Sequence, residues 1–389
     1  MKKEAWLARE ECTGCGACEN ICPANVLTIE EDETGHLYPK ASEGCIGCNL
    51  CEKVCRKRLR LVGSGMDSPK VYAAWTKDDA LRFSSTSGAA FTELSRAVLS
   101  RSGVIFGAAY EDGCVVCHTD ASTELDLAKL RQSKYVQSRM GKAFRAVKRS
   151  LESGKEVLFC GAPCQIAGLR AYLGKDYKGL YLVDFVCQGV NSPKAFASWI
   201  KGLENLKGEK VSRVWFKYKV GGWKTSPKRT RIDFENGDYM VQDGDDNHYM
   251  CGYLDTCLYL RPSCASCEFK GFPRQGDLTV ADFWGLDQAF DDDKGTSLVM
   301  VSTVKGERLF MEVKRNMMVF ERRFEEIFAG NKRIYSSASV GKNSEAFLRA
   351  LDQMDFESAY KRFGKLPILK RIRRKAGKAK RLLSRESLS

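Results

Sequence analysis

The stretch CTGCGACENICP, residues 12–23, sets four cysteines at the spacing C-x2-C-x2-C-x3-C, and CIGCNLCEKVC, residues 45–55, repeats that spacing. In such a run three cysteines wrap one cubic 4Fe-4S cluster while the fourth reaches the neighbouring one. Cys12, Cys15, Cys18 and Cys55 are therefore expected on one cluster, and Cys45, Cys48, Cys51 and Cys22 on the other. Glycines at 14, 16, 44 and 47 permit the tight turns that bring backbone N–H groups toward the sulfurs. A pair of zinc sites is the alternative, but three evenly spaced cysteines in one turn suit a cube better than a tetrahedral ion. Between the runs, VLTIEEDETGHLYPK reads as strand, turn and strand, with Glu31, Asp32, Thr34 and Gly35 as turn residues.

Pro23 follows the first run as the bacterial ferredoxin pattern expects, whereas Arg56 stands in the equivalent place of the second. Residues 1–62 are expected to form a ferredoxin-like 2x(4Fe-4S) domain. The start, MKKEAWLAREEC, has no apolar run behind its lysines, and no stretch approaches the ~18–20 apolar residues that span a bilayer. A cytoplasmic location is expected, where thiols stay reduced and clustered cysteines bind metal. The formal charge of +14 over 389 residues omits about −2 for each oxidised cluster on four thiolates. Residues 370–389 alone carry a net +8, so the rest is only mildly basic.

LVGSGMDSPK, residues 61–70, has linker composition. Beyond it strands and helices alternate: KVYAAWT, a helix over 89–99, GVIFGAAY and GCVVCHT around an Asp112-Gly113 turn, helices near 123–131 and 139–153, then EVLFCG and GLYLVDFVC. That alternation predicts an α/β body. From 211 to 305 strands dominate: RVWFKY, RTRIDF, DLTVADF and SLVMVST. The fold expected is α+β, a ferredoxin-like domain followed by an α/β body with a strand-rich second half. Its parts are residues 70–150, residues 155–335, and a helical, basic tail over 336–389.

Ser84, Ser85, Thr86, Ser87 and Gly88 precede a helix whose Phe91, Leu94 and Val98 keep helical spacing. Hydroxyls and N–H groups at a helix start suit a pyrophosphate, although a serine-rich cap has the same pattern. RQSKYVQSRMG, residues 131–141, offers Lys134, Tyr135, Gln137 and Ser138 on one loop. LFCGAPCQIAGLR, residues 158–170, turns through Gly161 and Pro163 and presents Cys164 and Gln165 at the next helix start.

With these stretches, VCQGVNSPKAF, RPSCASCEFKG, GDLTVADFWG and DDDKGTSLV run in order over roughly residues 70–305. Together they resemble the beta-subunit family of coenzyme F420 hydrogenases and dehydrogenases. The family's usual Gly-Gly after the serines is Gly88-Ala89 here. The resemblance implies bound FAD, on Ser85, Thr86, Ser87, Gly88, Lys134, Tyr135, Gln137, Ser138, Gly161, Pro163 and Gln165. It also implies a third 4Fe-4S cluster, for which Cys164, Cys187, Cys264 and Cys267 lie in matching stretches. Cys160 is near enough in sequence to replace Cys164, and a zinc knuckle on Cys264 and Cys267 is the other alternative. Cys251 and Cys257 read as core or interface cysteines. CVVCH, residues 114–118, has the haem-attachment spacing but falls in a hairpin strand.

The activity implied is that of an oxidoreductase passing electrons between a small-molecule hydride donor or acceptor at FAD and the clusters, with ferredoxin or another redox protein as partner. A non-catalytic electron-transfer subunit is the alternative. Lys134, Gln137, Gln165, Asp277, Asp282 and Lys294 are candidates for tuning the flavin. No histidine lies in a matching stretch, so no general acid or base is assigned. The tail from 366 on has apolar residues at three- and four-residue steps among its cations. That pattern favours peripheral contact with the inner face of a membrane over nucleic acid, and a plain solvated helix is the equal alternative.

Overall fold

A computed structural model describes residues 8–60 and 68–364. The basic tail from residue 365, read as either a membrane-contacting or a plain solvated helix, lies outside the described residues, as does most of the linker. No helix among the described residues is long and apolar enough to cross a membrane.

The strands are β1 Leu27–Glu31, β2 Leu37–Ala41, β3 Lys70–Thr76, β4 Val104–Tyr110, β5 Val116–Ala121, β6 Val157–Gly161, β7 Leu180–Phe185, β8 Val211–Phe216, β9 Thr230–Phe234, β10 Tyr239–Gln242, β11 Leu278–Asp282, β12 Ser297–Val301 and β13 Met317–Arg322. The β1–β2 hairpin turns where Asp32 Oδ1 accepts from the N–H groups of Thr34 and His36. With the helices Ala17–Ile21 and Leu50–Arg60 it makes the ferredoxin-like segment.

The body is built on an eight-stranded sheet of order β13-β3-β12-β11-β7-β6-β4-β5. Its centre, β11-β7-β6-β4, is parallel, and antiparallel strands close both edges. The strand-rich stretch is divided: β8, β9 and β10 form a separate small sheet, whereas β11 and β12 join the large one. Because β3 pairs with β12 and β13, one sheet draws on both sequence-defined parts of the body.

One face of the sheet is covered by the helices Ala90–Leu99 and Val304–Val313, through Leu94, Val98, Leu309 and Phe310. The other carries the helices Ala143–Glu152 and Pro163–Leu173. Pro163–Leu173 is buried nearly all round, as an apolar helix between two layers must be. The second layer is the ferredoxin-like segment, whose Cys15, Ala17 and Val54 share this core. Arg145 fastens it by donating to the carbonyls of Asn20 and Cys22 at 2.7 and 2.5 Å, and Ser192 Oγ donates to that of Thr34 at 2.9 Å. A further aromatic core, around Trp199, Phe216, Tyr249 and Tyr259, joins the small sheet to the helix Pro193–Lys207.

Candidate functional site

Gly14 and Gly16 hold φ of 63° and 79°, so the first cysteine run turns through left-handed backbone. The Cys18 thiol is pushed well above the usual thiol range by burial and then by Cys15, Cys12 and Cys55, the partners its spacing requires. Cys22, Cys45, Cys48 and Cys51 line one small cavity with Val26, Leu27 and Ile46 in its apolar wall. Cys45 and Cys48 are exposed.

Cys164 sits in the first turn of Pro163–Leu173, Cys187 just past the end of β7, Cys264 at the end of the short turn Pro262–Cys264, and Cys267 beyond it. Burial pushes the Cys164 thiol well above its ordinary range, followed by the charges of Cys267, Cys187, Cys264 and Cys15. The four gather, with a cysteine of the first N-terminal set beside them. Cys160 faces Asp184 and Lys134 instead. No group of three or more His, Cys, Asp or Glu among the described residues is placed to hold a single metal ion. Thiolates on a cube stand wider apart than the ligands of one ion at about 2.3 Å.

A Cβ on Gly168 would lie 2.9 Å from Cys15 Sγ, so the helix backbone and the first cysteine loop are in direct contact. Lys270 Nζ, donating to the carbonyls of Cys187 and Arg333, ties the Cys264–Cys267 loop down.

Beside the body cysteines opens a cavity of about 540 Å³ at the C-terminal ends of the parallel strands, where open α/β sheets bind ligands. Ser85, Thr86, Ser87, Lys134, Tyr135, Ser138, Gly161 and Gln165 line it, and so does Cys187. Gly88, Gln137 and Pro163 do not. Gly88 N–H donates to Ser297 Oγ at 2.9 Å, and a Cβ there would stand 2.2 Å from the Ala74 carbonyl. Its lack of a side chain serves the seating of the helix on β3. Gln137 turns to the ferredoxin-like segment, where Nε2 donates to the Thr13 carbonyl at 3.4 Å. Pro163 starts its helix from the buried side.

The hydroxyls expected to face a phosphate have protein partners. Ser85 donates to the Leu81 carbonyl, Thr86 Oγ1 accepts from Ser133 N–H, and Ser87 meets Ser297 Oγ at 2.9 Å. The main-chain amides at the start of Ala90–Leu99 have no side-chain cap, and Ala89, Ala90, Phe91 and Thr92 all line the cavity. Those amides, more than the hydroxyls, suit an anion.

Sequence reasoning missed His118. Its Nε2 lies 3.1 Å from the Cys160 carbonyl, which can only accept, so Nε2 carries the proton and Nδ1 accepts from Ser138 Oγ at 2.9 Å. Ser138 in turn accepts from Gln165 Nε2 at 3.0 Å, and Gln165 Oε1 from Ala162 N–H at 2.8 Å. Burial pulls His118 down to about 4, so the ring is neutral.

Lys217, left-handed at φ 55°, pairs with Asp282 and lies 4.4 Å above the Trp284 ring, all in the cavity wall. Of the other tuning candidates, Asp277 accepts from Leu182 N–H within the sheet and Lys294 pairs loosely with Asp79; neither lines the cavity.

Residues 154–326 match the family described as the C terminus of the beta subunit of coenzyme F420 hydrogenase/dehydrogenase, and residues 11–59 match the 4Fe-4S dicluster domain. Among solved structures, a chain of the F420-reducing NiFe hydrogenase complex from Methanosarcina barkeri, from a xenon-derivatization study, is similar at 18% identity. The likeness covers 77% of this chain and 91% of that one, with a TM-score of 0.46. No curated protein matches the chain.

Proposed function

We propose that this chain, an iron–sulfur protein joining a 4Fe-4S dicluster domain to the C-terminal domain of the coenzyme F420 hydrogenase/dehydrogenase beta-subunit family, is an oxidoreductase. It moves electrons between a small hydride carrier at FAD and three 4Fe-4S clusters. The reading is carried by Cys187, which belongs to the body cysteine set and also lines the cavity where the uncapped helix start and the Gly161 turn converge.

The residues fit the groups assigned to them. Uncapped amides of Ala90–Leu99 would take the pyrophosphate. Tyr135, Tyr253 and Val280 give an apolar, aromatic wall for a ring. Bound FAD supplies the conversion between a two-electron hydride and single electrons. The chain of His118, Ser138 and Gln165 fixes the loop carrying Gly161 and Ala162, and Lys217 with Asp282 sets a fixed dipole in the facing wall.

Cys164, Cys187, Cys264 and Cys267 would hold the first cluster reached, the Cys15 set the second, and the Cys45 set, at the surface beside exposed Ile46, the third. A ferredoxin or another redox protein would exchange electrons there.

The test mixes anaerobic holoprotein with a reduced F420-type deazaflavin, NAD(P)H or reduced ferredoxin. At least one hydride donor should reduce flavin and clusters together. If only ferredoxin reduces the clusters and no hydride donor acts, the chain is an electron-transfer subunit whose partner does the chemistry.

A further inference from the structure

Three arginines are buried among the described residues: Arg82, Arg261 and Arg274. Arg82 forks onto Asp292 at 2.7 and 2.6 Å, and Arg274 reaches Asp184 at 3.1 Å. Arg261, at 0% exposure, pairs with no carboxylate among the described residues. Its Nε donates to the Cys12 carbonyl at 2.8 Å, its Nη1 to Gln137 Oε1 at 3.1 Å, and its Nη2 has no partner. The guanidinium lies 4.1 Å above the Tyr38 ring.

A buried cation without a counter-charge is strongly disfavoured, and one ring face offsets only a small part of that penalty. Arginine cannot escape by losing its proton. Among the described residues no carboxylate supplies the missing negative charge, whereas a 4Fe-4S cluster on four thiolates carries about −2.

Arg261 stands where two such groups would meet. Its side chain holds the carbonyl of Cys12, a ligand in the first N-terminal set. Its own carbonyl accepts from the N–H of Cys264, a ligand in the body set, at 3.0 Å. A Cβ on Gly14, inside the first cysteine loop, would come within 3.2 Å of Nη1.

We infer that Arg261 is the shared counter-charge of the body cluster and the nearer N-terminal cluster, a positioning residue that raises both reduction potentials and fixes the gap the electron crosses. The inference rests on the reading that Cys164, Cys187, Cys264 and Cys267 hold a cluster. Reduction adds one negative charge to a cluster, and a fixed cation in a poorly screened interior stabilises that extra charge.

The experiment is a redox titration of anaerobic holoprotein followed by electron paramagnetic resonance, with iron analysis, on wild type, Arg261→Gln and Gln137→Glu. Arg261→Gln removes the charge. Gln137→Glu keeps the arginine but sets a carboxylate of nearly the same shape against Nη1. Both variants should move the reduction equilibria of the two clusters at least tenfold toward the oxidised form, about 59 mV for one electron. The outer cluster on Cys22, Cys45, Cys48 and Cys51 serves as an unshifted reference. If Arg261→Gln does not fold, Gln137→Glu decides alone. Both potentials within about twofold of wild type in equilibrium constant, with iron retained, would overturn the inference. A wild type with about eight irons and no body cluster overturns the underlying reading instead, and the inference falls with it.

Discussion

Lys134 lies in the cavity wall with its Nζ donating to the carbonyls of Lys129 and Arg131 at 3.0 and 2.7 Å. Burial, helped by the charge of Arg213, pulls it down to about 7. A lysine is cationic below its pKa and neutral above it, and the downward shift brings that change near neutral pH. An anionic ligand in the cavity therefore gains a counter-charge at pH 6 that is mostly absent at pH 8. Flavin affinity, titrated by fluorescence, should weaken as pH rises through about 7, and Lys134→Gln should flatten the profile. A flat wild-type profile would remove Lys134 from the flavin's contacts. The N-terminal cysteine runs were legible as a 4Fe-4S dicluster domain because ligand spacing on a cube is a local property of the chain; the body cysteines, from three separate stretches, carry no such local mark. Gln137 was not legible either: which way its loop faces is settled by Arg261 and Thr13, more than a hundred residues away. His118 had no signal, since its relay partners come from two other stretches.

At the scale of elements, Gly88 decides how the helix Ala90–Leu99 meets the sheet. An added Cβ would strike the Ala74 carbonyl at 2.2 Å, Ser297 N at 2.8 Å and Trp75 Cα at 2.9 Å, all of them backbone atoms that cannot swing aside. Gly88→Ala should cost about 3 kcal/mol or more, and should loosen the amides that start the helix. Thermal unfolding and flavin retention would both register it; an unchanged melting temperature would show that the helix can shift freely on β3. The hairpin of β4 and β5 was readable from its Asp-Gly turn between two strand-like runs. The placement of β11 and β12 was not, because their neighbours β7 and β3 lie far back in the chain and pairing across such distances leaves no local mark.

For the whole molecule, the decisive contact is the ferredoxin-like segment against the helix Pro163–Leu173. Glycine at 168 lets Cys15 approach that helix; Gly168→Val would push into Cys15 Sγ and Phe144. The variant should reduce its flavin at the wild-type rate in single turnover while the N-terminal clusters lag behind. Simultaneous reduction would mean that electrons leave the cavity by another route. The two-part architecture was legible from the cysteine repeat and the strand–helix alternation. The docking was not, because it depends on Arg145, Ser192 and Gly168, none of which belongs to a ligand pattern. The central claim, a flavin cavity adjoining a third cluster, is tested most directly by iron, sulfide and flavin analysis of anaerobically purified protein alongside Cys267→Ser. The account predicts about twelve irons with one FAD in the wild type, and about four fewer irons in the variant. About eight irons in both, or a wild type that retains no flavin, would contradict it.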